Sequence, residues 1–184
     1  MGMTDDQQEY IQRAYQVLLQ ELNLQGQHFQ GTPGRAARAW KAFTTQEPLT
    51  LTSFELTEKG GMIILKNHEC WSYCPHHLLP VHYDISIGYV PDTKVLGLSK
   101  LARIADHCMP LMPIQEDLGS MISNLIEESI QPKGTGVVIH GEHLCMRMRG
   151  VESRKATCTT TFMSGLFLED SKARSEFLTL IKET

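Results

Sequence analysis

Cysteine and histidine come close together at two places in the chain. The first is Cys74-Pro75-His76-His77, in a segment that also holds His68 and Cys70. A Cys and a His three residues apart, in a turn stiffened by Pro75, can both reach one metal ion. A buried thiol beside surface histidines gives the same half-motif, so these residues alone leave both readings open. The second place is His143-Leu144-Cys145-Met146-Arg147-Met148-Arg149. Its polar and apolar residues alternate, which predicts a strand over His143 to Val151 with His143, Cys145, Arg147 and Arg149 on one face. A charged edge strand with an incidental thiol has the same pattern. Together the segments offer Cys74, His77 and Cys145 as three protein ligands. Three ligands leave one tetrahedral position open, as in catalytic centres, and thiolate with imidazole suits zinc. An open zinc centre brings the acidity of water toward neutral pH. His76 and His143 flank these ligands and are the candidate proton carriers.

Two other segments suit an anionic, nitrogen-rich substrate. In Gly97-Leu98-Ser99-Lys100-Leu101-Ala102-Arg103, Ser99 is expected to cap a helix whose first turn carries Lys100 and Arg103. Helix N-termini bind anions, and cations placed there oppose the helix dipole at a small local cost. A plain amphipathic helix with solvated cations fits the segment as well. With Arg35, Arg38 and Arg149 these cations can neutralise a polyphosphate locally. Gln115-Glu116 follows Pro113 at another helix start. Its carboxylate can accept from a donor–donor edge such as guanine N1–H and N2–H₂. Stabilisation of the dipole would also place a Glu there.

Periodicity supplies the elements that must position these residues. Ile11, Ala14, Tyr15, Leu18 and Leu22 predict a helix over about Asp5 to Leu24, with Thr4 and Gln7 as a capping box. Thr32-Pro33 opens a second helix, with Thr32 at the N-cap and Pro33 at the first helical position. Short strands are expected near Leu49, Leu51 and Met62 to Leu65. Strict alternation of Val81, Tyr83, Ile85, Ile87 and Tyr89 predicts a half-buried strand. Two helices follow, one from Ser99 and one carrying Leu118, Ile122 and Ile126. Strands over Val137 to Ile139, His143 to Val151 and Thr157 to Met163 come next. A final helix over Ser171 to Lys182 closes the chain. That order is α+β, with a largely antiparallel sheet and helices on one face.

Bulk properties remove several classes. The chain has 184 residues and a formal net charge of −4, which argues against a general nucleic-acid binder. No run approaches ~18 apolar residues, so no membrane helix is expected, and the polar N-terminus does not resemble a signal peptide. A cytoplasmic protein is therefore expected. Its five cysteines should stay reduced there and serve as ligands, nucleophiles or core residues. Cys70, Cys108 and Cys158 read as structural. His28, His68, His82, His107 and His140 read as surface or satisfied histidines.

In combination, these motifs resemble the GTP cyclohydrolase I family. The resemblance rests on Thr32-Pro33-Gly34-Arg35, Cys74 to His77, Gly97 to Arg103, Gln115-Glu116, His143 to Met146 and Arg149-Gly150. It implies a tunnelling fold, in which ββααββ units assemble side by side into a toroidal homodecamer with active sites between subunits. The domain division it suggests is an N-terminal helix and loop over 1–31 and a catalytic domain over 32–184, which forms a single compact unit with that helix. Zinc would be held by Cys74, His77 and Cys145. His76 and His143 would transfer protons. Glu116, with Gln115 beside it, would hold guanine. Ser99, Lys100, Arg103 and Arg149 would hold the ribose and triphosphate, joined by Arg35 and Arg38 from a neighbouring subunit. The implied activity is hydrolytic opening of GTP at C8 by zinc-activated water, with loss of formate. Amadori rearrangement and ring closure then give 7,8-dihydroneopterin triphosphate, which enters pterin and tetrahydrofolate biosynthesis and one-carbon metabolism.

One departure stands out. The family usually has Glu where this chain has Pro75. A variant stopping at a ring-opened formamide, or a non-catalytic zinc-containing nucleotide- or pterin-binding relative, are the alternatives that this opens. A nitrile reductase of the same fold would use a Cys nucleophile without zinc, which the full ligand set opposes.

Overall fold

The structure is a computed structural model that describes residues 2–58 and 60–182. Compactness divides it into two units, Met1–Glu47 and Pro48–Thr184. The second helix thus falls in the first unit.

The first unit is a pair of helices, α1 (Asp5–Glu21) and α2 (Thr32–Thr44). Thr4 and Gln7 form the expected capping box: Gln7 N–H donates to Thr4 Oγ1 at 3.2 Å, and Thr4 N–H donates to Gln7 Oε1 at 2.9 Å. The helix stops at Glu21, three residues before the expected Leu24, where Asn23 takes a positive φ of 54°. α2 starts one residue early. Gly31, in the left-handed region, is its N-cap, and Thr32 is already helical. Trp40 donates its indole N–H to Tyr15 Oη at 2.6 Å, and Lys41 pairs with Asp5 at 2.7 Å, which ties the two helices together.

The second unit is built on a four-stranded antiparallel sheet in the order β2 (Ile63–Tyr73), β3 (Pro80–Val90), β5 (Gly134–His143), β6 (Cys158–Met163). A small ribbon pairs β1 (Ser53–Glu55) with β4 (Lys94–Leu96). Between β4 and β5 come α3 (Ser99–Cys108) and α4 (Gln115–Ile130). This is the strand–strand–helix–helix–strand–strand order expected from the sequence. The alternation in β3 is what the pattern predicts: Val81, Tyr83, Ile85, Ile87 and Tyr89 are all buried. They form one core with Val137 and Ile139 of β5, with Leu101 and Ile104 of α3, and with Leu118, Ile122 and Ile126 of α4. Each such side chain contributes about 1.5–3 kcal/mol over an exposed one. The sheet's other face is not bare. Helices α6 (Leu166–Glu169) and α7 (Ser171–Leu180) pack Phe167 and Phe177 there, against Val138. Gly88 makes this possible, since a Cβ at that position would sit 2.7 Å from the Phe177 ring.

Two strand expectations need correction. β2 is eleven residues long and reaches Tyr73, well past Leu65. A bulge between Leu65 and His68, with Asn67 at φ 57°, breaks the alternation that would have revealed it. The expected strand His143–Val151 does not form. β5 ends at His143, and Leu144–Arg147 makes a single helical turn, α5. The physical cause is the end of pairing: His143 lies opposite Val81 at the start of β3, and β6 meets β5 only from Gly141 back.

Candidate active site

The turn after β2 places the first donors. Cys74 C=O accepts from Leu78 N–H at 2.8 Å and from His77 N–H at 3.3 Å, while Cys74 N–H donates to Leu79 C=O at 2.9 Å. Pro75 occupies a turn position where its fixed φ is no cost. The closed turn brings Cys74 Sγ within 3.7 Å of Nδ1 of both His76 and His77. Cys145 arrives from α5, not from a strand face. A helical turn directly after β5 carries its thiol to the same place. The donor atoms of Cys74, His77 and Cys145 lie within 4.8 Å of one another, with both thiols buried and His77 exposed.

These three residues fit a tetrahedral ion. Zn–S bonds of about 2.3 Å and Zn–N bonds of about 2.0 Å separate adjacent ligands by about 3.5 Å. Burial pushes the Cys145 thiol above its ordinary pKa, and the neighbouring Cys74 adds to this, while Arg149 pulls the other way. A cation beside the Cys145 thiol would offset this penalty and favour the thiolate.

The donors open into a cavity of about 210 Å³, also lined by His76, His143, Gln115 and Glu116. Seven of the expected site residues therefore meet in one place. His143 Nε2 lies 2.7 Å from Gln115 Oε1. Gln115 is buried, and its amide NH₂ faces Cys158 C=O at 3.0 Å, and Ile139 C=O and Thr160 Oγ1 at 3.3 Å. Its oxygen must then face the imidazole, so His143 donates from Nε2 and keeps Nδ1 as the acceptor when neutral. Gly141 permits this approach: a Cβ there would overlap Gln115 Oε1 and lie 3.1 Å from His143 Nε2. Burial holds the His143 pKa below its ordinary value, with the Glu116 carboxylate opposing. The ring stands edge-on to Tyr83, centroids 6.0 Å apart.

The expected anion-binding residues are more dispersed. Ser99 does not cap α3. Leu98 takes that position in helical conformation, and Ser99 is the first helical residue. Lys100 Nζ donates to Thr50 C=O at 2.9 Å. Neither Ser99, Lys100 nor Arg103 lines the cavity around Cys74. Arg149, beyond α5, acts on Cys145 through its charge. Arg147, expected to share a strand face with the ligands, pairs with Glu142 and donates Nε–H to Ala156 C=O at 3.1 Å. In the first unit Arg35 donates to Thr32 Oγ1 at 2.8 Å and Gln30 C=O at 3.1 Å, and with Arg38 it lines a cavity of about 650 Å³.

Sequence reasoning missed Tyr83, Cys158 and Thr160 as lining residues. Tyr83 was legible only as a core position in the β3 alternation. It also assigned Gln115 to guanine, where its amide is turned to His143.

The family model of GTP cyclohydrolase I matches residues 11–182. GTP cyclohydrolase 1 of Aquifex aeolicus is 44% identical over 155 residues, spanning 82% of this chain and 83% of that protein. The enzyme of the same name from Deinococcus radiodurans is 38% identical over 160 residues, 84% of this chain and 74% of that protein. The Homo sapiens protein of that name is 41% identical over 177 residues, 92% of this chain and 70% of its own length.

Proposed function

Because the chain belongs to the GTP cyclohydrolase I family, we propose that it converts GTP and water to 7,8-dihydroneopterin triphosphate and formate. The observation that carries this reading is the convergence of Cys74, His77 and Cys145 with His143 and Glu116 on one cavity. We assign zinc to the three ligands, on a donor set of two thiols and one imidazole. When bound, zinc supplies the Lewis acidity that makes water a nucleophile near neutral pH.

The chain's own residues do the rest. Glu116 accepts the N1–H and N2–H₂ edge of guanine, which fixes the ring in the cavity. His143, held by Gln115 through Nε2, takes a proton at Nδ1 and delivers it to the imidazole ring of the purine, so that the C8–N bond can break. His76, exposed beside Cys74, serves the later proton transfers of ring opening and closure. Ser99, Lys100, Arg103 and Arg149 hold the ribose and triphosphate.

We further infer a ring of subunits, a homodecamer in this family reading. β2 and β6 are the two edges of the sheet, and edge strands of neighbouring copies can pair to continue it. Such an assembly would build each site between subunits and would bring Arg35 and Arg38 from a neighbour. Among the described residues, no helix is long and apolar enough to cross a membrane. Five free thiols suit a reducing compartment, which we take to be the cytoplasm.

The test is mass spectrometry of the products formed from GTP by zinc-loaded protein. Dihydroneopterin triphosphate with formate is the expected result. Unchanged GTP, or a ring-opened formamide alone, would contradict it.

A further inference from the structure

The bulge in β2 has a consequence for side-chain direction. Before it, Ile63 and Leu65 pair with Tyr89 and Ile87, whose side chains enter the core under α3 and α4. Without the bulge, the period of two would carry Asn67, Glu69 and Trp71 to that face. The extra residue at Lys66-Asn67 shifts the parity. His68 now pairs with Ile85 and Cys70 with Tyr83, so both point to the helix-covered face. Asp106 of α3 meets them there. His68 Nε2 lies 2.8 Å from Asp106 Oδ1. The donor atoms of His68, Cys70 and Asp106 lie within 4.8 Å of one another.

We propose that His68, Cys70 and Asp106 form a second, accessory divalent-metal site, with zinc the ion that suits its donors. The three groups supply nitrogen, sulfur and oxygen, all common zinc ligands. As at Cys74, His77 and Cys145, the thiol is buried and the imidazole is more exposed. Cys70 is 6% exposed, whereas the side chains of His68 and Asp106 are 20% and 56% exposed. An ion can therefore enter from solvent and keep a water in its fourth position. Tetrahedral N and O ligands sit about 3.3 Å apart, so the His68–Asp106 contact opens by a few tenths of an ångström on binding. Cys70 gives its proton to the buffer in the same step. The ion would clamp β2, an edge strand, to α3. None of the three residues lines the catalytic cavity, so the site is structural or regulatory and independent of turnover chemistry.

The test is equilibrium dialysis of the intact protein against micromolar free Zn²⁺, with bound metal counted per chain. The unsubstituted protein is expected to hold two ions. Asp106→Asn and His68→Asn are expected to hold one each, with the ion at Cys74, His77 and Cys145 unaffected. Asp106 is half exposed, so Asp106→Asn leaves the core intact. One ion in the unsubstituted protein, or two in both variants, would overturn the proposal. GTP turnover by Asp106→Asn, measured in parallel, separates failure here from failure of the catalytic reading.

Discussion

The imidazole of His143 donates from Nε2 to Gln115 Oε1 across 2.7 Å, and Gln115 cannot turn away. Its NH₂ is engaged by Cys158 C=O, Ile139 C=O and Thr160 Oγ1, all on β5 and β6. A buried amide on α4 thus sets the tautomer of a histidine at the end of β5. Gln115→Ala is expected to lower kcat about 10- to 100-fold, the usual cost of removing a group that orients a working residue. Gln115→Glu should instead place a carboxylate against the ring and raise the His143 pKa. The alkaline limb of the kcat profile should then move to higher pH. An unmoved limb with an unchanged kcat would show that Gln115 does not act through His143.

Stability should also follow the state of His143. Burial lowers its pKa in the folded chain below the ordinary value near 6.5. Between the two values the unfolded chain binds more protons than the folded one, so stability rises with pH there. The contribution is complete above about pH 6.5 and is lost as pH falls through the lower folded value. Thermal melts across that window should show a slope that His143→Asn reduces.

Glu116 sets substrate choice in this account. Glu116→Gln keeps one acceptor oxygen but replaces the other by a donor facing guanine's N–H groups. A hydrogen bond to a charged group is worth about 1.5–3 kcal/mol. The kcat/KM for GTP should therefore fall about 10- to 150-fold, while metal content stays unchanged. Steady-state kinetics beside metal analysis checks both halves.

Pro75 stands in the ligand turn but outside its closing hydrogen bonds, which run from Cys74 to His77, Leu78 and Leu79. Pro75→Glu is expected to keep metal affinity and to change only the kinetic constants. Loss of metal from that variant would mean that the ring of Pro75 shapes the ligand turn itself.

The sequence made the scaffold legible wherever one face was simply buried. The alternation from Val81 to Tyr89 marked β3, and the stripe of Leu118, Ile122 and Ile126 marked α4. The grouping of Cys74, His77 and Cys145 was legible too, because thiol and imidazole are uncommon and their clustering is a chemical signal. What failed depended on neighbours in space. The alternation after His143 looked like a strand, yet among the described residues no strand pairs with it. The bulge at Asn67 hid most of β2 by shifting its parity. The turn of Gln115 toward His143 could not be read, since it depends on β5 and β6 meeting α4 at Gly141.

Cys145→Ser tests the central claim most directly, with zinc content and GTP turnover measured on one preparation. Cys145 is buried, its donor atom lies within 4.8 Å of those of Cys74 and His77, and an alcohol at that position is a far weaker zinc ligand than a thiolate. The variant is expected to lose one zinc per chain and its turnover together. A variant that keeps the full zinc content and still forms dihydroneopterin triphosphate would contradict it.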